Sequence, residues 1–364
     1  MQEIIVFGTG KYFAYKEETI WHKYHIIAFL DNRVERGRQE LYKNTNIRIL
    51  NPESVDIMDE KPIFLMSVHF IGMWEQLMKL GISPNRIVFP FFLEPYFENE
   101  KVLNHLLTEI RFSKNYFTCI AHDTTIQSKI NGMEDWREFL RSSYRKTYPL
   151  INAVTQMGLA PISRQFGTER GTPVDRYYIE KFLKEHKHLV KGEVLEIEDN
   201  IYSIKYGEER LTRSIVMDVE NSGGVIAFKG NLETGDGIRD EVADCFILTQ
   251  TLMYLFDLKS AVHNIGRLLK RDGTVLVTCS GISQNSRRCM ENYGCCFNFN
   301  VDGLRKIFLL EPDLEVVEAG SYGNVKTVMA HIGGLCREDL DVGDFLENDK
   351  YYPLIVYAVV KKNG

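Results

Sequence analysis

Short apolar runs that each give way to a helical pattern recur in two separate stretches of this chain, and that alternation limits its fold more than any other feature. In the first stretch, Ile4 to Phe7 runs into Gly8-Thr9-Gly10 and then a mixed helical pattern to about Tyr24. His25 to Leu30 follows and ends at Asp31. Pro62 to Ser67 is a further strand candidate, Gly72 to Leu80 reads as a helix stopped by Gly81, and Arg86 to Pro90 as another strand. Strands alternating with helices predict a parallel sheet covered on both faces.

The pattern resumes beyond residue 150. Glu193 to Ile197, Ser214 to Val219, Gly224 to Phe228 and Asp244 to Leu248 read as strands. Lys259 to Lys270 reads as an amphipathic helix with Ala261, Val262, Ile265, Leu268 and Leu269 inward, and Asp272-Gly273 turns the chain into Thr274 to Cys279. Lys326 to Ala330 and Leu354 to Val360 are candidates to close this second sheet. Between the two stretches, apolar positions such as Val102, Leu106 and Ile110 predict helices. A helix is expected from Thr172, with Thr172 as cap, Pro173 in the first turn and Asp175 three residues after the cap. The expected architecture is α/β: two Rossmann-like domains, residues 1–92 and 150–364, joined by a helical connector, 93–149. At roughly 150 residues per domain, a chain of 364 residues agrees with two domains.

Composition removes several function classes. Charged residues are 26% and the net charge is −6, without the basic footprint of a dedicated nucleic-acid binder. No apolar run reaches the roughly 18 residues of a membrane span, and MQEIIVFGTG lacks the order of a signal peptide. Seven cysteines, an odd number with no CxxC pair, fit reduced thiols in a cytoplasmic chain better than a disulfide frame or a metal site. No metal is expected.

Gly8 and Gly10 after a strand, with Asp31 some twenty residues on, have the form of a dinucleotide fingerprint, although Phe13 stands where a third glycine would be. Such a turn brings backbone N–H groups to a phosphate, and Asp31 could accept from a ribose hydroxyl. A turn that needs glycine for geometry alone is the plain alternative. Through IIVFGTGKY, IIAFLDN, Asn51-Pro52-Glu53 and LGISPNRIVFP, residues 1 to 90 resemble the small Rossmann-like domain at the front of many bacterial surface-glycan proteins, including sugar acetyltransferases. That resemblance implies a nucleotide or nucleotide sugar, and leaves open a nicotinamide cofactor or an empty scaffold.

The second stretch resembles a class I methyltransferase. Val194-Leu195-Glu196-Ile197 is similar to the first strand of that family, Asp244 to Thr249 to its fourth, and AVHNIGRLLKRDGTVLV, Ala261 to Val277, to its helix–turn–strand. More narrowly, Arg170 to Tyr178, Leu248 to Leu252 and Ser280 to Gln284 resemble methyltransferase-like proteins found with glycosyltransferases in bacterial polysaccharide clusters. The resemblance implies S-adenosylmethionine as cofactor and a small sugar or glycan as substrate. The partners it implies are glycosyltransferases of the same pathway or a second copy of the chain. By position, Glu196 and Glu198 border the donor loop, Glu220 or Asp218 would hold the ribose, and Asn231 would meet the adenine.

The donor loop reads Glu198-Asp199-Asn200 where the family usually has glycines. A carboxylate about 4 Å from the donor's own carboxylate would cost about 4 kcal/mol at an effective dielectric near 20. Arg170 or Arg176 could meet Glu198. Candidates for catalysis are Thr249 and Gln250 at the sheet edge and Asp175, Arg176 and Tyr177 from the helix before it. None is an evident base, and His263 and His331 read first as structural. The two main readings are therefore a methyltransferase and a non-catalytic module of the same fold that binds a nucleotide sugar or glycan.

Overall fold

Each stretch of alternation builds its own sheet in the computed structural model, which describes residues 1–55, 59–90, 98–122, 127–147, 149–219 and 228–363. The chain divides into two units, Met1–Met157 and Gly158–Gly364.

In the first unit β1 (Gln2–Phe7), α1 (Lys11–Lys23), β2 (Tyr24–Leu30), β3 (Gln39–Leu41), β4 (Arg48–Leu50), β5 (Ile63–Leu65), α2 (Phe70–Lys79) and β6 (Ile87–Val88) follow one another. Their sheet has the order β3-β4-β2-β1-β5-β6. All its pairs are parallel except β3 with β4. Ile4, Val6, Phe13, Phe29 and Trp74 fill its core. Gly8 has φ +106, and a Cβ there would lie 2.8 Å from the Met66 carbonyl oxygen, so glycine is required at that turn.

The stretch expected to be a helical connector is different. Between α3 (Glu98–Leu106) and the helices α4 (Met133–Thr147) and α5 (Pro149–Gln156) lie β7 (Leu107–Phe112), β8 (Phe117–Ala121) and β9 (Gln127–Ile130). These three form an antiparallel sheet. A bulge between Leu107 and Glu109 sets the buried positions Leu107, Ile110 and Phe112 three and then two apart, which imitates a helical period. Phe117 and Trp136 belong to the first unit's core.

The second unit runs α6 (Val174–Glu185), β10 (Gly192–Ile197), α7 (Ile201–Gly207), β11 (Leu211–Asp218), β12 (Phe228–Lys229), β13 (Ala243–Thr249), α8 (Leu258–Leu268) and β14 (Leu269–Ser280). It continues through α9 (Arg287–Asn292), α10 (Val301–Phe308), β15 (Leu314–Tyr322), α11 (Val325–Gly333) and β16 (Ile355–Lys362). The seven-stranded sheet has the order β12-β11-β10-β13-β14-β16-β15. β16 is antiparallel to both its neighbours, and the other pairs are parallel. Successive strand residues serve opposite faces: Leu195 and Phe246 pack in one core, Val194 and Cys245 in the other.

Two expected elements change here. Lys326 to Ala330 lies within α11, where Asn324 and Thr327 make a capping box and Gly334 closes the end at φ +79; the strand beside β16 is β15. Thr172 does not cap α6, because its N–H and hydroxyl go to the Glu338 carboxylate at 2.8 and 3.0 Å, and the helix begins at Val174. Of the strand expected at Gly224 to Phe228, only Phe228 is within the described residues.

Candidate functional site

β10 lies between β11 and β13, so the strand order of the second sheet reverses there. Connections leaving the two sides of such a point diverge, which opens a crevice beyond the carboxyl ends of the strands. A cavity of about 240 Å³ lies at this edge, with Asp175, Arg176, Gln250, Ser280, Ser283 and Gln284 among its lining residues.

The amino end of α6 is fixed at the cavity by a segment far along the chain. Arg170 bonds the Asp339 carboxylate and the Gly334 carbonyl, both at 2.9 Å. Pro173 bridges to Cys336, and a Cβ on Gly171 would overlap the Glu338 carboxylate. The Arg170-Gly171-Thr172-Pro173 run is thus a clamp on the start of α6, which carries Asp175 and Arg176 in its first turn. Asp339 and Gly334 engage the Arg170 guanidinium. Arg176 bonds the Tyr202 hydroxyl on α7.

Gln250 follows β13 with φ +50, a strained backbone for a residue with a side chain. Its amide oxygen accepts from Ser280 Oγ at 2.8 Å, while its Nε2 is buried without a partner. Gln284 Nε2 is likewise buried and unpartnered. Two amide donors at one cavity call for acceptor oxygens on whatever occupies it.

Behind the cavity wall stands His331, fully buried on α11. Its Nε2 is 2.8 Å from Ser283 Oγ, and its unpartnered Nδ1 lies 4.0 Å from Asp175 Oδ1. Burial holds its pKa below the ordinary imidazole value, with Asp175 opposing. His331 is remote in sequence from both partners. The run Ser280 to Gln284 marked this edge, but nothing in the chain joined it to His331.

The remaining candidates divide. Thr249 ends β13, and its carbonyl accepts from Thr251. Tyr177 turns to Phe345, with ring centroids 4.3 Å apart, and belongs to the packing of α6. Glu196 is buried and accepts from the Tyr202 and Ser203 N–H groups at 3.1 and 2.5 Å, closing the first turn of α7. Burial raises its carboxyl to about 6, against the pull of those bonds. Glu198 sits at φ +72, so the turn has a glycine's geometry without glycine. Its N–H bonds the Met217 carbonyl, which sets it beside Asp218 at the end of β11. The Asp218 carboxylate accepts from the Val219 N–H at 2.7 Å. Asn231 uses its side-chain oxygen on the Glu233 and Thr234 N–H groups, as a turn former. Glu220 lies outside the described residues.

In the first unit, Asp31 is engaged by the glycine turn after β1 and by its own loop. It accepts from the Thr9 hydroxyl and, at 3.4 Å, from the Thr9 N–H, and its other oxygen accepts from the Arg33 N–H at 3.0 Å. Gly10 precedes α1, with open space where a Cβ would be. A larger depression, about 830 Å³, lies elsewhere in this unit, between β6 and β7. Two of its charged side chains, Glu109 and Arg111, pair with each other at 3.0 Å, and it does not include the glycine turn.

The seven cysteines form no disulfide. Among the described residues no group of three metal-ligating side chains converges, and no helix is long and apolar enough to cross a membrane.

No protein-family model matches the chain. No curated protein matches it. Several solved structures are similar over about half of it. One is an S-adenosylmethionine-dependent methyltransferase from Mesorhizobium loti, 9% identical over 52% of this chain and 98% of that one, with TM-score 0.36. Another is the N-methyltransferase NodS from Bradyrhizobium japonicum in complex with S-adenosyl-L-homocysteine, 12% identical over 56% and 94%, TM-score 0.36. A third is the [4+2]-cyclase SpnF, 13% identical over 61% and 94%, TM-score 0.37. Likenesses at this level carry no argument about chemistry; that rests on the crevice and the side chains around it.

Proposed function

We propose that the second unit is a class I methyltransferase that uses S-adenosylmethionine and acts on a small hydroxylated acceptor, a sugar, glycan or nucleotide-sugar intermediate of surface-polysaccharide assembly. The observation that carries this reading is the seven-stranded sheet whose order reverses at β10, with a cavity of mixed polar and apolar lining beyond the carboxyl ends of β13 and β14. The donor supplies an electrophilic methyl group on a sulfonium.

The residues present fit such a group. A donor of this kind bears an ammonium and a sulfonium beside its one carboxylate, so Glu198 and Asp199 suit its net positive charge rather than opposing it. Arg176 lines the cavity and can take the carboxylate. Asp218, or Glu220 beyond the described residues, would take the ribose hydroxyls. Gln250 aligns the acceptor through its unpartnered amide, and alignment is the main demand of an in-line displacement. In the first unit, the Gly8 turn at the amino end of α1 is proposed to take a nucleotide or nucleotide sugar, which would compete with Thr9 for Asp31. Glycosyltransferases of the same pathway, in the cytoplasm, are the proposed partners.

Calorimetry with S-adenosylmethionine and its demethylated product tests the reading. Saturable binding that weakens in Asp218→Ala or Glu220→Ala supports it. No binding at millimolar donor, with the fold intact, overturns it. One observation favours a non-catalytic module instead: the Glu196 carboxylate already occupies the first N–H groups of α7. That module would bind a nucleotide sugar or glycan in the same calorimeter and ignore the donor.

A further inference from the structure

Three side chains brought together from α6, the loop after β14 and α11 supply what the sequence lacked, a base. We propose that Ser283, His331 and Asp175 form a proton relay in the cavity wall, with Ser283 touching a bound acceptor hydroxyl and His331 accepting the proton behind it. The proposal deepens the methyltransferase reading and, in its use of an acceptor hydroxyl, rests on it.

Geometry sets the direction of transfer. His331 Nε2 lies 2.8 Å from Ser283 Oγ, and Nδ1 faces Asp175 at 4.0 Å without a hydrogen-bond partner. A carboxylate on the Nδ1 side favours the tautomer with its proton there, which leaves Nε2 to accept from the serine. The groups facing the imidazole are the Asp175 carboxylate, the Ser283 hydroxyl and the Phe166 ring, whose centroid is 5.3 Å away. Asp175 and Ser283 also line the cavity, so the relay opens onto it at two points. The Gln284 carbonyl, 3.1 Å from Ser283 Oγ, is a second acceptor for the serine proton and competes with His331 until a ligand reorders the hydroxyl.

The occupant follows from the same wall. At about 240 Å³ the cavity is below the ~300–1,000 Å³ of drug-sized sites, so it suits a small acceptor, with no more of the donor than the carboxylate at Arg176. The unpartnered amides of Gln250 and Gln284 select oxygen acceptors, as on a polyol. When such a hydroxyl lies against Ser283, its proton passes to Oγ while the Ser283 proton passes to His331 Nε2. The electron pair stays on the acceptor oxygen, and the imidazolium faces Asp175.

The relay also makes Ser283 nucleophilic in its own right, which gives a test without any methyl donor. The full chain is treated with methanesulfonyl fluoride and mapped by mass spectrometry. Ser283 Oγ bonds to sulfur, the S–F bond breaks, fluoride leaves with the bonding pair, and the proton goes to His331. Ser283 is expected to be modified about 10²-fold faster than other serines, and His331→Gln to remove that advantage. The labelling rate should fall with pH as His331 protonates, below the ordinary imidazole range, a profile that a structural role would not produce. Should His331→Gln fail to fold, Asp175→Asn at the cavity rim should still slow labelling several-fold. Labelling of Ser283 no faster than other serines, or at the parental rate in a folded His331→Gln, overturns the relay. Labelling that persists in a protein with no calorimetric affinity for the donor upholds the relay and overturns the methyltransferase reading instead.

Discussion

Glu198 and Glu196 sit two residues apart and carry opposite lessons. Glu198 holds a left-handed backbone, φ +72, which costs a residue with a side chain about 1–2 kcal/mol. Glu198→Gly should therefore raise the urea midpoint by the equivalent of about 0.5 kcal/mol, because the flexibility of glycine in the unfolded chain takes back part of the relief. It should also weaken donor binding, if the acidic loop attracts the ammonium. Glu196 has a folded value of about 6, above the ordinary 4.5. A raised carboxyl favours folding while it is protonated, below the unfolded value, and loses that advantage as pH rises through about 6. The gap corresponds to about 2 kcal/mol. Denaturant titrations at about pH 4 and about pH 7 should show the stability of Glu196→Gln gaining on the parent by that amount at the higher pH.

At the scale of elements, α11 is the segment where sequence and structure part most usefully. Lys326 to Ala330 is short and apolar enough to pass for a strand, yet Asn324 and Thr327 and the Gly333-Gly334 pair bracket it as a helix. Asn324 also donates to the Asp344 and Glu347 carbonyls at 2.8 and 2.9 Å. Asn324→Ala should cost about 1–2 kcal/mol by thermal unfolding, at the upper end of a cap's usual worth. Such signals are local and can be read from the chain. The strands with unbroken apolar runs, β1, β13 and β14, were legible for the same reason, and β10 through its shorter Val194-Leu195 pair. β7 was not, since its bulge disguised the two-residue period, nor was β15, whose exposed Val317 breaks the alternation near its own bulge. The site was legible only in part. Asp175, Arg176 and Gln250 follow from their place at strand and helix ends. Ser283 and His331 are 48 positions apart and meet only once α11 packs beneath the loop after β14.

Across the whole molecule, the two units have separate cores and need not lose stability together. The first contains a buried ion pair, Lys16 Nζ to Glu100 Oε1 at 2.9 Å, with side chains 2% and 4% exposed, and Tyr12 donates to the same oxygen. Burial holds the Lys16 pKa down, with Glu100 opposing. Removing one partner strands the other charge in the interior, at a cost of about 3–5 kcal/mol. Glu100→Ala should lower one transition in scanning calorimetry by that measure and leave the second unit's transition and its donor affinity in place.

The position of β16 has a consequence for how the second unit is made. It is the last strand in the sequence, yet it lies between β14 and β15. As the chain leaves the ribosome, those two strands emerge first, each with a row of unpaired backbone groups facing the slot that β16 will fill. Until residues 355 to 362 arrive, a strand from another molecule could fill that slot as well. Crowding on polysomes is then a condition under which this fold is exposed to error.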